Sequence, residues 1–218
     1  MELYRLLLQC HGPQHWWPAS GRFEVMVGAI LTQAAAWSNV EKAIAALRRA
    51  GALSPAALRR LSLPEIARLV YPSGYYNAKA RKLKALATYL GGYDDDLDRL
   101  FALPVERLRP ELLGVYGIGE ETADSILLYA GGKPVFVVDA YTRRILGRSR
   151  LGPPAGSYRQ YQQLFMDNLP ADAGLFNEYH ALLVRHGKDI CRVRPRCQEC
   201  CLNENICHPG ETGLEDRC

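Results

Sequence analysis

The sequence predicts a mainly α-helical protein, and three observations carry that prediction. Apolar residues recur at helical spacing along most of the chain, prolines stand where helices start, and only one short segment reads as a strand. The first helical stretch runs from Phe23 to Ala50, with small, apolar and charged residues alternating until Gly51 stops it. Ser54-Pro55 and Leu63-Pro64-Glu65 each place a proline in a first turn, where its missing N–H would have no partner anyway. Tyr71-Pro72-Ser73-Gly74 is a break, and Asn77 is the expected cap of a helix running through Lys79, Arg81 and Lys84 to Leu90. Asp94, Asp95, Asp96 and Asp98 read as a solvated turn leading into a helix start. Further helices are expected from Leu103-Pro104 to Leu113, Glu120 to Ala130, Ala140 through Leu146, Ser157 to Asn168 and Leu175 to Gly187. Pro134 to Val138 resembles a strand, but a lone strand has no ladder partner, so an extended connector is expected there.

Composition sets the frame. The 218 residues, 48% apolar and 23% charged, allow one large globular domain or two small ones. No apolar run approaches the roughly 20 residues that span a bilayer. Met1 to Gln14 lacks the basic, apolar and small-residue order of an export signal. A cytoplasmic, nucleoid-associated protein without a membrane partner is expected. The net charge of +4 suits a polyanionic partner without demanding one. Of seven cysteines, five fall between Cys191 and Cys207, with Cys10 and Cys218 apart. One tight knot in a chain without a signal peptide favours a metal site over a disulfide framework.

The most informative stretch runs from Leu112 to Arg144. Gly117-Ile118-Gly119 lies between two helices, and a polar Glu-Glu-Thr opens the second. The glycines allow positive φ and close backbone approach, and Ile118 can plug the turn into the core. The free amides that start the second helix are then available to a phosphate oxygen, which is DNA binding without sequence reading. A glycine-rich turn between packed helices explains the three residues alone better. After that helix, Lys133-Pro134 leads through Val135, Phe136, Val137 and Val138 to Asp139, at the start of the next helix. An aspartate there is a catalytic candidate or simply an N-cap.

This order of motifs resembles the endonuclease III superfamily of helix-hairpin-helix DNA glycosylases. The resemblance spans about Phe23 to Cys207 and includes Leu31-Thr32-Gln33, Tyr76-Asn77-Ala78-Lys79-Ala80, Gly117 to Ala123, Val138-Asp139 and His186-Gly187. It implies a two-domain fold: a helical barrel over residues 22–133, and a second helical domain from residues 1–21 and 134–218 that carries an iron–sulfur loop. The active site is then expected in the groove between them. It implies damaged double-stranded DNA as partner, a monomer, and Asp139 as the catalytic carboxylate. Breaking an N-glycosidic bond leaves positive charge on the sugar, which a fixed carboxylate stabilises while it orients water. By the same resemblance Gln33 enters the duplex where the target nucleotide is flipped out, and Gly117, Ile118, Gly119 and Lys79 belong to the DNA-binding face.

Members that also cut the strand have a lysine two residues after the second hairpin glycine. Here that position is Glu121. A lysine amine forms a Schiff base with the sugar; a carboxylate cannot. A monofunctional enzyme is expected, with Lys133 and Lys188 the lysines to check as substitutes.

The three tryptophans are Trp16, Trp17 and Trp37. Trp16-Trp17-Pro18, an aromatic four residues after Gln33, and Glu121 together look like the 3-methyladenine glycosylases of the endonuclease III type. That implies Trp16 and Trp37 as stacking faces for the flipped base, with Trp17 and Pro18 as pocket wall. A cationic alkylpurine gains cation–π attraction there.

Cys191-x5-Cys197-x2-Cys200-x6-Cys207 supplies four thiolates, which suit zinc or a [4Fe–4S] cluster on chemistry alone. The resemblance implies [4Fe–4S]. The superfamily spacing is usually x6, x2, x5, so Cys201 competes with Cys200 for the third place. The expected function is excision of alkylated purines in base excision repair. Rivals are an endonuclease III-like glycosylase and lyase on oxidised pyrimidines, against which Glu121 counts, and a non-catalytic damage-sensing protein, against which Asp139 counts. A mismatch uracil or thymine glycosylase could also dispense with the lysine.

Overall fold

The computed structural model describes residues 1–153, 155–202 and 206, and among them every regular element is helical. None is long and apolar enough to cross a membrane. The chain divides into two compact units: Trp17–Lys133, and Met1–Trp16 with Pro134–Cys218.

The first unit contains α2 (Arg22–Leu31), α3 (Trp37–Arg49), α4 (Pro55–Arg60), α5 (Leu63–Val70), a 3₁₀ turn at Tyr71–Ser73, α6 (Tyr76–Gly91), α7 (Leu97–Phe101), α8 (Val105–Leu113) and α9 (Glu120–Ser125). α9 continues as a π turn, Ile126–Ala130. Local chemistry sets most of the starts. Ser54 caps α4 ahead of Pro55, and Ser62 and Glu65 form a reciprocal capping box on α5. Asp96 caps α7, as the acidic run suggests. Met26, Ile30, Leu31, Leu47, Leu58, Leu83 and Leu86 fill the interior.

Two expectations fail here. The stretch Phe23–Ala50 is two helices, broken at residues 32–36, where Ala34 takes φ 50°. Gln33 therefore sits on a loop, and Trp37 opens α3 instead of lying one helical turn beyond Gln33. Asn77 lies inside α6; the residue before the helix is Tyr75, at φ 44°.

The second unit holds α1 (Glu2–His11), the connector Pro134–Val138, α10 (Ala140–Arg148), α11 (Tyr158–Asn168) and α12 (Ala173–Asp189), then a 3₁₀ turn at Cys197–Glu199. The connector is buried without a sheet, so its polar groups need other partners. α11 supplies two: Tyr158 Oη accepts from the Val138 amide at 3.3 Å, and Gln162 Nε2 donates to the Phe136 carbonyl at 2.7 Å. Phe136 stacks flat on Phe165 and meets Phe176 and Tyr179 edge-on.

Lys79 is the largest surprise of the interior. Only 1% of it is exposed, and Nζ donates to the carbonyls of Leu31 at 2.9 Å and Ser73 at 2.5 Å. Its expected place on the DNA-binding face is thereby corrected: the ammonium points inward and binds the end of α2 to the turn before Tyr75. Burial first, and the charge of Lys82 second, push its pKa down to about 8. Lys79→Met is expected to orphan two carbonyls, at about 1–3 kcal/mol each, read by urea unfolding. The folded pKa lies below the unfolded value, so the fold favours the neutral amine. Stability from this group therefore rises between pH 8 and about 10.4, and the gap between wild type and Lys79→Met should widen over that window.

Candidate functional site

The hairpin is built from α8 and α9. Arg109 reaches across it: Nε and Nη2 donate to Oδ1 and Oδ2 of the buried Asp124 at 2.7 and 3.0 Å. Ile118 is buried in the turn, as expected, and Gly117 holds φ 82°. A β-carbon at Gly117 would also fall within the Lys82 side chain, so glycine is required twice over. Gly119 has ordinary extended backbone, and a β-carbon there would meet open space. That is room for an approaching ligand at the start of α9.

Gln33 is bound into this hairpin. Its Nε2 donates to the Gly117 carbonyl at 3.1 Å and to Thr122 Oγ1 at 2.9 Å, and its Oε1 accepts from Lys82 Nζ. Gln33, Glu121, Thr122 and Ser125 line a concavity of about 280 Å³, which brings the two expected site residues Gln33 and Glu121 together. Beyond the break, Tyr75 is 74% exposed with a left-handed backbone. An exposed aromatic held in a sparsely populated conformation is a candidate contact residue; nothing in the local sequence announces it.

In the same unit the Trp17 ring stands 81° to Trp37, centroids 5.5 Å apart, and tilts against Tyr129 at 5.2 Å. Gly28 makes room for it, since a β-carbon there would lie 3.0 Å from Trp17. Tyr129 joins the two tryptophans from the π turn after α9, far from both in sequence and with no motif linking it to them. Trp16 belongs to the other unit and is half-buried, and Pro18 is exposed.

Asp139 takes the helix-start position its sequence reading gave it. It is the N-cap of α10, with Oδ1 accepting from the Thr142 amide at 2.7 Å, and it is 9% exposed. Its Oδ2 lies 3.6 Å from Nε2 of His180, itself 6% exposed on α12. Burial pushes the carboxyl up, but His180 and the Thr142 bonds outweigh it and hold the group below the usual carboxylate range. His180 was missed because 41 positions separate it from Asp139 and no short motif joins them. Its presence on the buried face of an amphipathic helix was the available signal.

The cysteine loop follows α12. Cys191 is buried, Cys200 and Cys201 are half-buried, Cys197 is disulfide-bonded, and Cys207 lies outside the described residues. α10 grips the loop with two arginines. Arg144 donates to the Gly187 and Cys191 carbonyls, both at 2.7 Å; Arg148 donates to those of Arg192 and Val193 and lies 3.5 Å from Cys191 Sγ. A guanidinium beside a buried sulfur suits a thiolate-held anionic group, so Cys191 and Cys200 fit a cluster as they stand, and Cys197 would fit it only as the reduced thiolate. Beside them His11 Nε2 is 3.0 Å from His186 Nδ1, and His186 Nε2 is 3.5 Å from Cys200 Sγ.

Residues 27–171 match the family model described as the HhH-GPD superfamily base excision DNA repair protein. The chain is 40% identical to the "Putative DNA repair glycosylase MJ1434" of Methanocaldococcus jannaschii over 205 residues, 93% of each protein. Among solved structures it resembles the H. pylori 3-methyladenine DNA glycosylase MagIII bound to 1,N6-ethenoadenine, with a TM-score of 0.74 and 29% identity over 86% of this chain and 95% of that one. It shares the fold of a non-covalent endonuclease III–DNA complex, with a TM-score of 0.83 and 22% identity over 96% and 94% of the two chains.

Proposed function

The chain belongs to the HhH-GPD superfamily of base excision DNA repair glycosylases, and from that premise we propose that it is monofunctional and excises alkylated purines of the 3-methyladenine type. The observation that carries the reading is Glu121, a carboxylate beside Gln33 at the hairpin where a strand-cutting member has its amine. The aromatic group Trp17, Trp37 and Tyr129 supports the substrate class, as does the likeness to a 3-methyladenine glycosylase.

In this reading the hairpin amides after Gly117-Ile118-Gly119 hold a phosphate, and Tyr75 meets the duplex. Gln33 exchanges its hairpin bonds for the space the flipped nucleotide leaves. The alkylated base is cationic and a good leaving group; rings of Trp16 and Trp37 hold it, with Trp17 and Pro18 beside them. Asp139, kept ionised, stabilises the sugar cation and orients the water that attacks it. Cys191, Cys197 and Cys200, with Cys207, would hold a [4Fe–4S] cluster, whose contribution is to fix the loop.

Base release from methylated-purine DNA and from thymine glycol DNA, with and without alkali, tests the reading. Free 3-methyladenine with strand breaks only after alkali is the expected result; thymine glycol release with spontaneous nicking would overturn it. Trp37→Ala is expected to lose the stacking of one base, about 1–3 kcal/mol, or roughly 5- to 150-fold in kcat/KM. Unchanged single-turnover excision of 3-methyladenine by Trp37→Ala would remove Trp37 from the pocket.

A further inference from the structure

We propose that Cys10, His11 and Cys201 form a zinc site, separate from the thiolates assigned to the cluster. Cys10 and His11 end α1, while Cys201 follows the turn after α12, yet their ligand-type atoms lie within 4.8 Å of one another. Zinc–sulfur and zinc–nitrogen lengths of about 2.3 and 2.0 Å put tetrahedral donors roughly 3.5–4 Å apart. The exposed Cys10 needs only a small inward turn to reach that.

The backbone explains why two adjacent cysteines serve different sites. Cys200 is extended, with φ −85° and ψ 115°, so successive side chains point to opposite sides. Cys200 Sγ faces His186, and Cys201 joins Cys10 and His11. On this reading Cys200 goes with Cys191 and Cys197, and Cys201 does not.

The imidazole is held for the task. In the tautomer whose Nε2–H donates to His186 Nδ1, the Nδ1 of His11 keeps the lone pair for the metal. An outer hydrogen bond that fixes tautomer and ring orientation is the usual companion of a histidine ligand. Two sulfurs and one nitrogen suit zinc, and the exposed side next to Cys10 leaves the fourth position to water.

The inference goes beyond the proposed function, and metal counting tests it independently of base release. Full-length protein carrying its cluster is exposed to Zn(II), desalted, and analysed for zinc and iron. The expected result is one zinc per chain, lost in Cys10→Ser and in His11→Ala while iron and the visible absorbance of the cluster stay unchanged. Cys200→Ser should do the reverse. Zinc retained in Cys10→Ser overturns the proposal, as does iron lost from that variant. So does wild-type protein that takes up no zinc, including one that mass spectrometry finds closed by a Cys10–Cys201 disulfide.

Discussion

Asp139→Asn is expected to abolish base release while leaving the fold intact. Asparagine caps a helix about as well as aspartate, so the bond from the Thr142 amide survives and α10 keeps its start. What disappears is the negative charge against which the sugar cation forms. A preorganised electrostatic partner contributes about 10²–10³-fold, and loss of water activation adds to it, so the single-turnover rate should fall by about 10³-fold or more. Wild type should unfold at a somewhat higher temperature than the variant at neutral pH, and the two should converge in acid. The Asp139 carboxyl titrates below its unfolded value, so its contribution to stability is complete above the unfolded pKa and is lost as pH falls through the folded one. The asparagine variant lacks this loss. For the same reason the acid limb of kcat/KM, set by the ionised base, should fall below the ordinary carboxylate range. A variant within tenfold of wild type would move the chemistry away from Asp139.

What the sequence disclosed and what it hid divide along a physical line. Helix starts are local, and Ser54-Pro55, Ser62 with Glu65 and Asp139 all act within one turn of their own positions. The break after Leu31 is not local. Ala34, Ala35 and Ala36 are strong helix formers, and the chain leaves the helix where distant partners hold it: Lys79 on the Leu31 carbonyl, and the hairpin and Lys82 on Gln33. Lys79 misled for a related reason. A lysine among other basic residues on a helix reads as solvated, and only the fold shows two carbonyls converging on it. Asp139 was legible because a cap and the catalytic acid proposed above ask for the same residue at the same place. His180, Tyr129 and the Cys10–Cys201 approach depend on pairs far apart in the chain. No spacing rule finds those.

Glu121→Lys should convert the enzyme into one that can be trapped covalently on abasic DNA. Position 121 lies in the first turn of α9, is exposed, and borders the concavity that holds Gln33. A lysine there loses an acid's favourable place at a helix start, about 0.3–1 kcal/mol, which the fold can absorb. Its amine can attack the sugar C1′, form an imine and permit β-elimination. Borohydride would fix that imine, giving a protein–DNA adduct in Glu121→Lys and none in wild type, together with nicking that needs no alkali. The added amine supplies only the nucleophile, so Asp139→Asn combined with Glu121→Lys should still fail to release a base from intact damaged DNA. Equal trapping of wild type and variant would show that another amine already does this chemistry. Lys82, whose ammonium meets Gln33 beside the same concavity, is the first to replace in that event. A variant that binds abasic DNA and still cannot be trapped would mean that position 121 does not reach the sugar, and the case for monofunctional action would lose its carrying observation.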